Sequence, residues 1–231
     1  MTQKILLTGA SKRVGFELCK ALVNQGYTVI TANRTKPSGD LKNVIHFQTD
    51  LSSKTERDEL IKFIKTEHPI LRAIIHNASL WLTDSIENLN EMHKVHVETP
   101  IHLNLELREN LSHLEKTDII HICDETSSRG SKSHICYAAT KSALNNLTLS
   151  FAEAFAPKIR VNSISPGLLI LKEDHDKEYR EQTFKKALLE FEPGAKPLIQ
   201  AALYLLESSY STGSNIIING GRHIKKAGHY D

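Results

Sequence analysis

The chain is poor in cysteine and tryptophan and has no long apolar run. Its three cysteines, Cys19, Cys123 and Cys136, stand far apart among 231 residues. That spacing supports neither a disulfide framework nor a CxxC metal site, so no metal is expected. They read as core or helix residues in a reducing compartment. No stretch approaches the ~20 apolar residues of a membrane helix. The apolar run near the start, Ile5–Leu7, is too short for a signal peptide, and a cytoplasmic protein is expected. An excess of one charge is missing too. The chain carries 29 Lys and Arg against 27 Asp and Glu, a net charge of +2. With no basic run longer than a pair, nucleic acid is excluded as a partner.

What is present is ordinary for a soluble globular protein: 40% hydrophobic and 24% charged residues. The length fits one α/β unit over residues 1–231. Short β-branched runs alternate with longer amphipathic ones. Strands are expected at Ile5–Thr8, Tyr27–Asn33, Val44–Thr49, Ala73–Asn77, Asp118–Asp124, Ile159–Ser165 and Asn215–Asn219. Between them, Val14–Gln25 has helical spacing and stops at Gly26, and Ser52 or Ser53 caps a helix running to about His68. Asn88–Asn110 reads as one long helix with Pro100 inside it, a place for a kink. His134–Phe155 is a second long helix, and Asp174–Leu189 and Ala195–Ser208 look helical. Strand, helix, strand, repeated, predicts a Rossmann-type doubly wound parallel sheet of about seven strands, flanked by helices. Ligands of such sheets bind at the carboxyl ends of the strands.

The candidate chemistry falls at those ends. The first strand runs into Thr8-Gly9-Ala10-Ser11-Lys12-Arg13-Val14-Gly15. Gly9 and Gly15 permit a sharp turn and close approach of a phosphate, which the N–H groups at the helix start attract. Ser11, Arg13 and Val14 lie on that turn. A merely solvated Arg13 would oppose the helix dipole unless an anion offset it, which favours a pyrophosphate or substrate role. After the second strand come Asn33, Arg34 and Thr35, with no acid to take the ribose hydroxyls. Arg34 suits a 2′-phosphate, so NADPH/NADP+ is favoured over NAD; the plain alternative is a surface basic cluster. Asp50-Leu51 closes the third strand, where the carboxylate either accepts from an adenine amino group or simply begins a turn. Asn77-Ala78-Ser79 closes the fourth, with small residues that let a cofactor ribose approach.

Tyr137 and Lys141 share one helix face at i, i+4 spacing. A free tyrosine, with a pKa of about 10, is a poor proton donor or base near neutral pH. A nearby ammonium is expected to lower that pKa, and the lysine can also hold the nicotinamide ribose.

Together these residues resemble the short-chain dehydrogenase/reductase family over nearly the whole chain. The TGxxxRxG turn, Asn77-Ala78-Ser79, Tyr137 with Lys141, and Val161-Asn162-Ser163-Ile164-Ser165-Pro166-Gly167 carry the likeness. The resemblance implies a catalytic Tyr137–Lys141 pair and a last segment, with Pro166 and Gly167, beside the nicotinamide. It also implies a homotetramer packed through the two long helices. Two positions depart from the family's pattern. Asp124 stands where a serine is common, thirteen residues before the tyrosine, and His96 where an asparagine is common. His96 either holds a water for a proton relay or packs. An Asp–Tyr–Lys set with arginine in the glycine turn is similar to the pteridine reductase branch. So are His76-Asn-Ala-Ser-Leu-Trp81, Arg129-Gly-Ser-Lys-Ser-His-Ile-Cys-Tyr137 and Leu168 to Arg180.

That branch implies a small-molecule dihydropterin substrate, reduced with NADPH at a C=N bond. Asp124 then bonds the pterin N–H groups, which a serine serves less well. Trp81, the one tryptophan, either stacks on the ring or belongs to the core. Arg13 and Ser79 would touch the pterin or the phosphates. The segment from Leu168 to Pro193 is expected to cover the substrate and to move without it. Two rivals remain: a carbonyl reductase, for instance of a 3-oxoacyl thioester, and a nucleotide-binding sensor without catalysis.

Overall fold

The computed structural model describes residues 2–37, 39, 41–171 and 176–225. Seven strands form one parallel sheet: β1 (Lys4–Thr8), β2 (Thr28–Asn33), β3 (Val44–Gln48), β4 (Ala73–His76), β5 (Asp118–Ile122), β6 (Arg160–Pro166) and β7 (Asn215–Ile218). Their order is β3-β2-β1-β4-β5-β6-β7. The central strands are apolar along their length because helices cover both faces. Side chains alternate sides at the strand period of two. Ile5, Leu7, Ile75 and Ile120 face one core, while Leu6, Ile74 and Ile119 face the other. The first core lies under α1 (Arg13–Asn24) and α9 (Lys196–Glu207), the second under α2 (Lys54–Glu67), α4 (Thr99–Glu106) and α7 (Ile135–Phe155). The strand order reverses between β1 and β4, so a crevice opens above the carboxyl ends of these two strands.

Local chemistry explains most boundaries. Ser53 caps α2 by accepting from the Glu56 N–H at 3.4 Å. Gly26, with a φ of 88°, ends the first helical segment. The expected helix over Asn88–Asn110 is instead broken into α3 (Ile86–His93), a π turn (Lys94–Glu98), α4 and α5 (Arg108–Leu111). Pro100 has no N–H to return to the carbonyl four residues back and its ring crowds that carbonyl. The backbone widens into the π turn just before it. Thr99 Oγ1 helps to close the turn by donating to Lys94 O at 2.8 Å and Leu51 O at 2.7 Å. A short helix not expected from the sequence, α6 (Thr126–Arg129), follows β5, and α8 is only Lys177–Phe184. Part of the expected Asp174–Leu189 helix, and residues 172–175 of the segment expected to cover a substrate, lie outside the described residues.

Candidate active site

The glycine turn is held to the end of β4 by hydrogen bonds between side chains and backbone. Asn77 Nδ2 donates to Gly9 O at 2.7 Å, and Thr8 Oγ1 accepts from the N–H groups of Asn77 and Ala78 at 3.1 and 3.0 Å. A Cβ on Gly15 would stand 2.1 Å from Gly9 O and 2.6 Å from Asn77 Nδ2. Gly15 therefore serves the close approach of α1 to the turn, and it also lines the cleft. Gly9 takes the left-handed conformation, φ 71°. So does Arg13, at φ 53°, a strained setting for a residue with a Cβ. Its guanidinium reaches across the crevice and donates to Ile170 O at 2.7 Å. The N-terminus of α1 has no side-chain cap and no acid in its first turn.

Asn33 is occupied by the chain itself. It accepts from Ala10 N at 2.7 Å and donates to Thr35 O at 3.2 Å. Burial pushes the Asp50 carboxyl up, but hydrogen bonds from the Ser52 N–H and hydroxyl, with Arg34 nearby, outweigh it and leave the group below its usual value.

On the other side, Asp124 follows β5. Its Oδ1 accepts from Thr126 N and Thr126 Oγ1, both at 2.8 Å, and its Oδ2 faces the Tyr137 hydroxyl at 3.2 Å. The Lys141 ammonium is buried and donates to Ile122 O at 2.9 Å. Desolvation lowers its pKa, while the nearby Cys123 and Asp124 pull the other way. The expectation that this lysine lowers the Tyr137 pKa does not hold here. Burial first, and the Asp124 charge second, push the phenol well above its usual value, and Ser79 opposes them only in part.

One cleft of ≈ 840 Å³ gathers these groups. Its wall includes Gly9, Ser11, Arg13, Val14, Gly15, Asn33, Arg34, Thr35, Asp50, Leu51, Asn77, Ala78, Ser79, Asp124, Tyr137, Lys141, Pro166 and Gly167. Trp81 is not on that wall. It is 60% exposed, with its ring 5.0 Å from that of Tyr137 and 4.4 Å from that of His134.

A model of the short chain dehydrogenase family matches residues 3–182. The chain belongs to that family. Curated relatives in it are similar along almost their whole length. The dihydromonapterin reductase of Citrobacter koseri is 40% identical over 233 residues, spanning 96% of this chain and 97% of its own. That of Shigella boydii is 39% identical over 234 residues, with the same coverage. Solved structures show the same fold. A short chain dehydrogenase from Leptospira borgpetersenii with bound NAD+ superimposes with a TM-score of 0.87 at 24% identity, covering 97% of this chain and 94% of that one. The aldohexose dehydrogenase of Thermoplasma acidophilum does so with 0.89 at 20%, covering 98% and 96%.

The sequence singled out His96 without its partners, whereas Asp84 and Glu125 escaped it. His96 is fully buried and holds Leu80 N at 3.0 Å and Ser79 Oγ at 3.1 Å on Nε2. Asp84 accepts from Ile135 N and Cys136 N, capping α7 one residue before Tyr137. Glu125 is buried beside Asp124, bonded by Arg129, Arg222 and Asn219. The unusual residue at position 96 was a signal. Asp84 and Glu125 gave none: the Asp84 partners lie roughly 50 residues away, and of the Glu125 partners only Arg129 is near in the chain, Asn219 being 94 residues away.

Proposed function

We propose that this chain reduces a dihydropterin, 7,8-dihydromonapterin first and dihydrofolate as a further substrate, with NADPH. The observation that carries the reading is the Asp124 carboxylate facing the Tyr137 hydroxyl at 3.2 Å on the cleft wall. An ionised carboxylate only accepts hydrogen bonds. It cannot donate to a substrate carbonyl as a serine does, and it suits the amino and ring N–H groups of a pterin. This weighs against a 3-oxoacyl thioester. The names of the curated relatives support the same substrate.

The cleft fits a dinucleotide by its donors. The uncapped start of α1 and the Arg13 guanidinium offer positive charge to a pyrophosphate. Arg34 and Thr35 would take the 2′-phosphate, Asp50 and Leu51 the adenine, and Asn77, Ala78 and Lys141 the ribose hydroxyls. Pro166 and Gly167 would line the nicotinamide. When bound, NADPH supplies the hydride. Reduction of a C=N bond also needs a proton on nitrogen. Burial and its acidic neighbour keep Tyr137 protonated but make it a weaker acid, so this proton comes from the Tyr137 hydroxyl or from water. Lys141 lies one turn along the same helix face, its ammonium 5.8 Å from the centre of the Tyr137 ring; Asp124 orients the substrate ring, and Arg13 and Ser79 flank it. Trp81 extends the aromatic surface formed by Tyr137. Ile170 and its neighbours, tied to Arg13, cover the substrate.

The test is NADPH consumption with dihydromonapterin, dihydrobiopterin, dihydrofolate and an acetoacetyl thioester. Turnover of the thioester alone overturns the reading; no turnover with any substrate favours a sensor. We further propose a cytoplasmic homotetramer packed through α3–α5 and α7, supported by the exposed Leu105 and Leu149 on those helices. Sedimentation of the purified protein as a monomer would contradict it.

A further inference from the structure

The ring nitrogens of His96 are both committed. Leu80 N–H donates to Nε2 at 3.0 Å, so Nε2 carries no proton. Thr140 Oγ1 donates to Tyr137 O at 2.9 Å, so it accepts from His96 Nδ1, 2.9 Å away. The ring is therefore a neutral imidazole with its proton on Nδ1, and no ring nitrogen remains to hold a relay water. Desolvation, with Lys141 nearby, keeps it neutral. Its position comes from the π turn ahead of Pro100, and its edge meets the Tyr137 ring at 5.6 Å and 85°.

His96 thus ties the Ser79–Leu80 turn to α7 at the catalytic tyrosine. The same strap is fastened at its other end. Asp84 accepts from Ile135 N at 3.0 Å and Cys136 N at 2.9 Å. Between the two fastenings lies Trp81, packed on Tyr137 and His134.

We infer that His96 and Asp84 are positioning residues that fix the strap 79–84, and so set where Trp81 and Tyr137 meet the substrate. The inference rests on the proposed dihydropterin site for its kinetic consequence, but not for its structural one. Among the described residues Leu80 N–H donates to Nε2; with that acceptor removed the fastening is lost, and the strap relaxes.

The only tryptophan is on the strap, so its emission reports the strap's position in the ligand-free protein. Glutamine at position 96 places an acceptor near Nε2; asparagine reaches only to Nδ1. We expect His96→Gln to keep the wild-type emission maximum and KM for dihydromonapterin. His96→Asn should shift the emission and raise that KM about tenfold, the effect of one unmade hydrogen bond, with the KM for NADPH unchanged. Asp84→Ala, at the exposed end, should act in the same direction and keeps the test open if a His96 variant fails to fold. Wild-type emission in both His96→Asn and Asp84→Ala would refute the strap. A loss confined to kcat in His96→Asn, with emission and KM unmoved, would show that His96 acts in the chemistry instead. If the wild type ignores dihydropterins while the emission pattern holds, the substrate assignment fails and the strap stands.

Discussion

Tyr137 and Asp124 depend on each other. The carboxylate keeps the phenol protonated beyond its ordinary range, and the phenol occupies one carboxylate oxygen. Asp124→Ser should therefore lower the Tyr137 pKa and cut kcat/KM for dihydromonapterin by about 10- to 100-fold, the range for hydrogen bonds to a charged group. Steady-state kinetics and a pH titration of tyrosine absorbance check the two halves. Arg34 carries a second prediction. Arg34→Ala should raise the KM for NADPH by a similar factor and leave that for NADH unchanged; equal effects on both would remove the case for a 2′-phosphate contact. Arg13 shows the cost of putting a side chain where the turn needs left-handed backbone. That conformation costs about 1–2 kcal/mol for a residue with a Cβ, and the bond to Ile170 O is what the side chain makes there. These residue types could be picked out of the sequence with their roles in view. The rise in the Tyr137 pKa could not, because it follows from burial and from Asp124 closing on the hydroxyl.

At the scale of elements, caps and breakers did most of what local sequence suggests. Ser53 caps α2, and Glu56 reaches back to Asp50 N at 2.6 Å, so this cap also steadies a cleft residue. Ser53→Ala should cost about 1 kcal/mol and lower the Tm by about 2–4 °C with kcat preserved, as thermal denaturation and an activity assay would show. The broken helix before Pro100 is the element that periodicity missed. Its apolar spacing continues through the break, and only the missing N–H of the proline, with Thr99 closing the turn, decides that His96 sits on a wider coil.

Across the whole molecule, buried histidines join the sheet to its helices. His76 and His121 are register partners on β4 and β5. They are bridged by Asn104, at 2.8 Å from His76 and 3.2 Å from His121, and His121 continues to Thr148 at 2.9 Å. Burial lowers all three of His76, His96 and His121, His76 to about 4. The unfolded chain binds protons at these groups below about pH 6.5 while the folded chain does not. Stability is then whole above that pH and falls as the pH drops towards 4. His76 alone accounts for about 3 kcal/mol of the loss. Urea unfolding across this range should show the decline before the carboxylates titrate; a flat profile down to about pH 5 would contradict it.

By itself the sequence determined the strand–helix alternation, the turn after β1, and the Tyr137–Lys141 pair. These are local patterns of period two, 3.6 or four residues, readable within one element. Only the tertiary structure decided that Asp124 faces Tyr137, that Lys141 turns to Ile122 O, that Gly15 serves packing, and that Trp81 stands beside the cleft instead of on its wall. Each of these depends on how the folded chain brings side chains and backbone within contact distance, and on burial, which no spacing along the chain encodes.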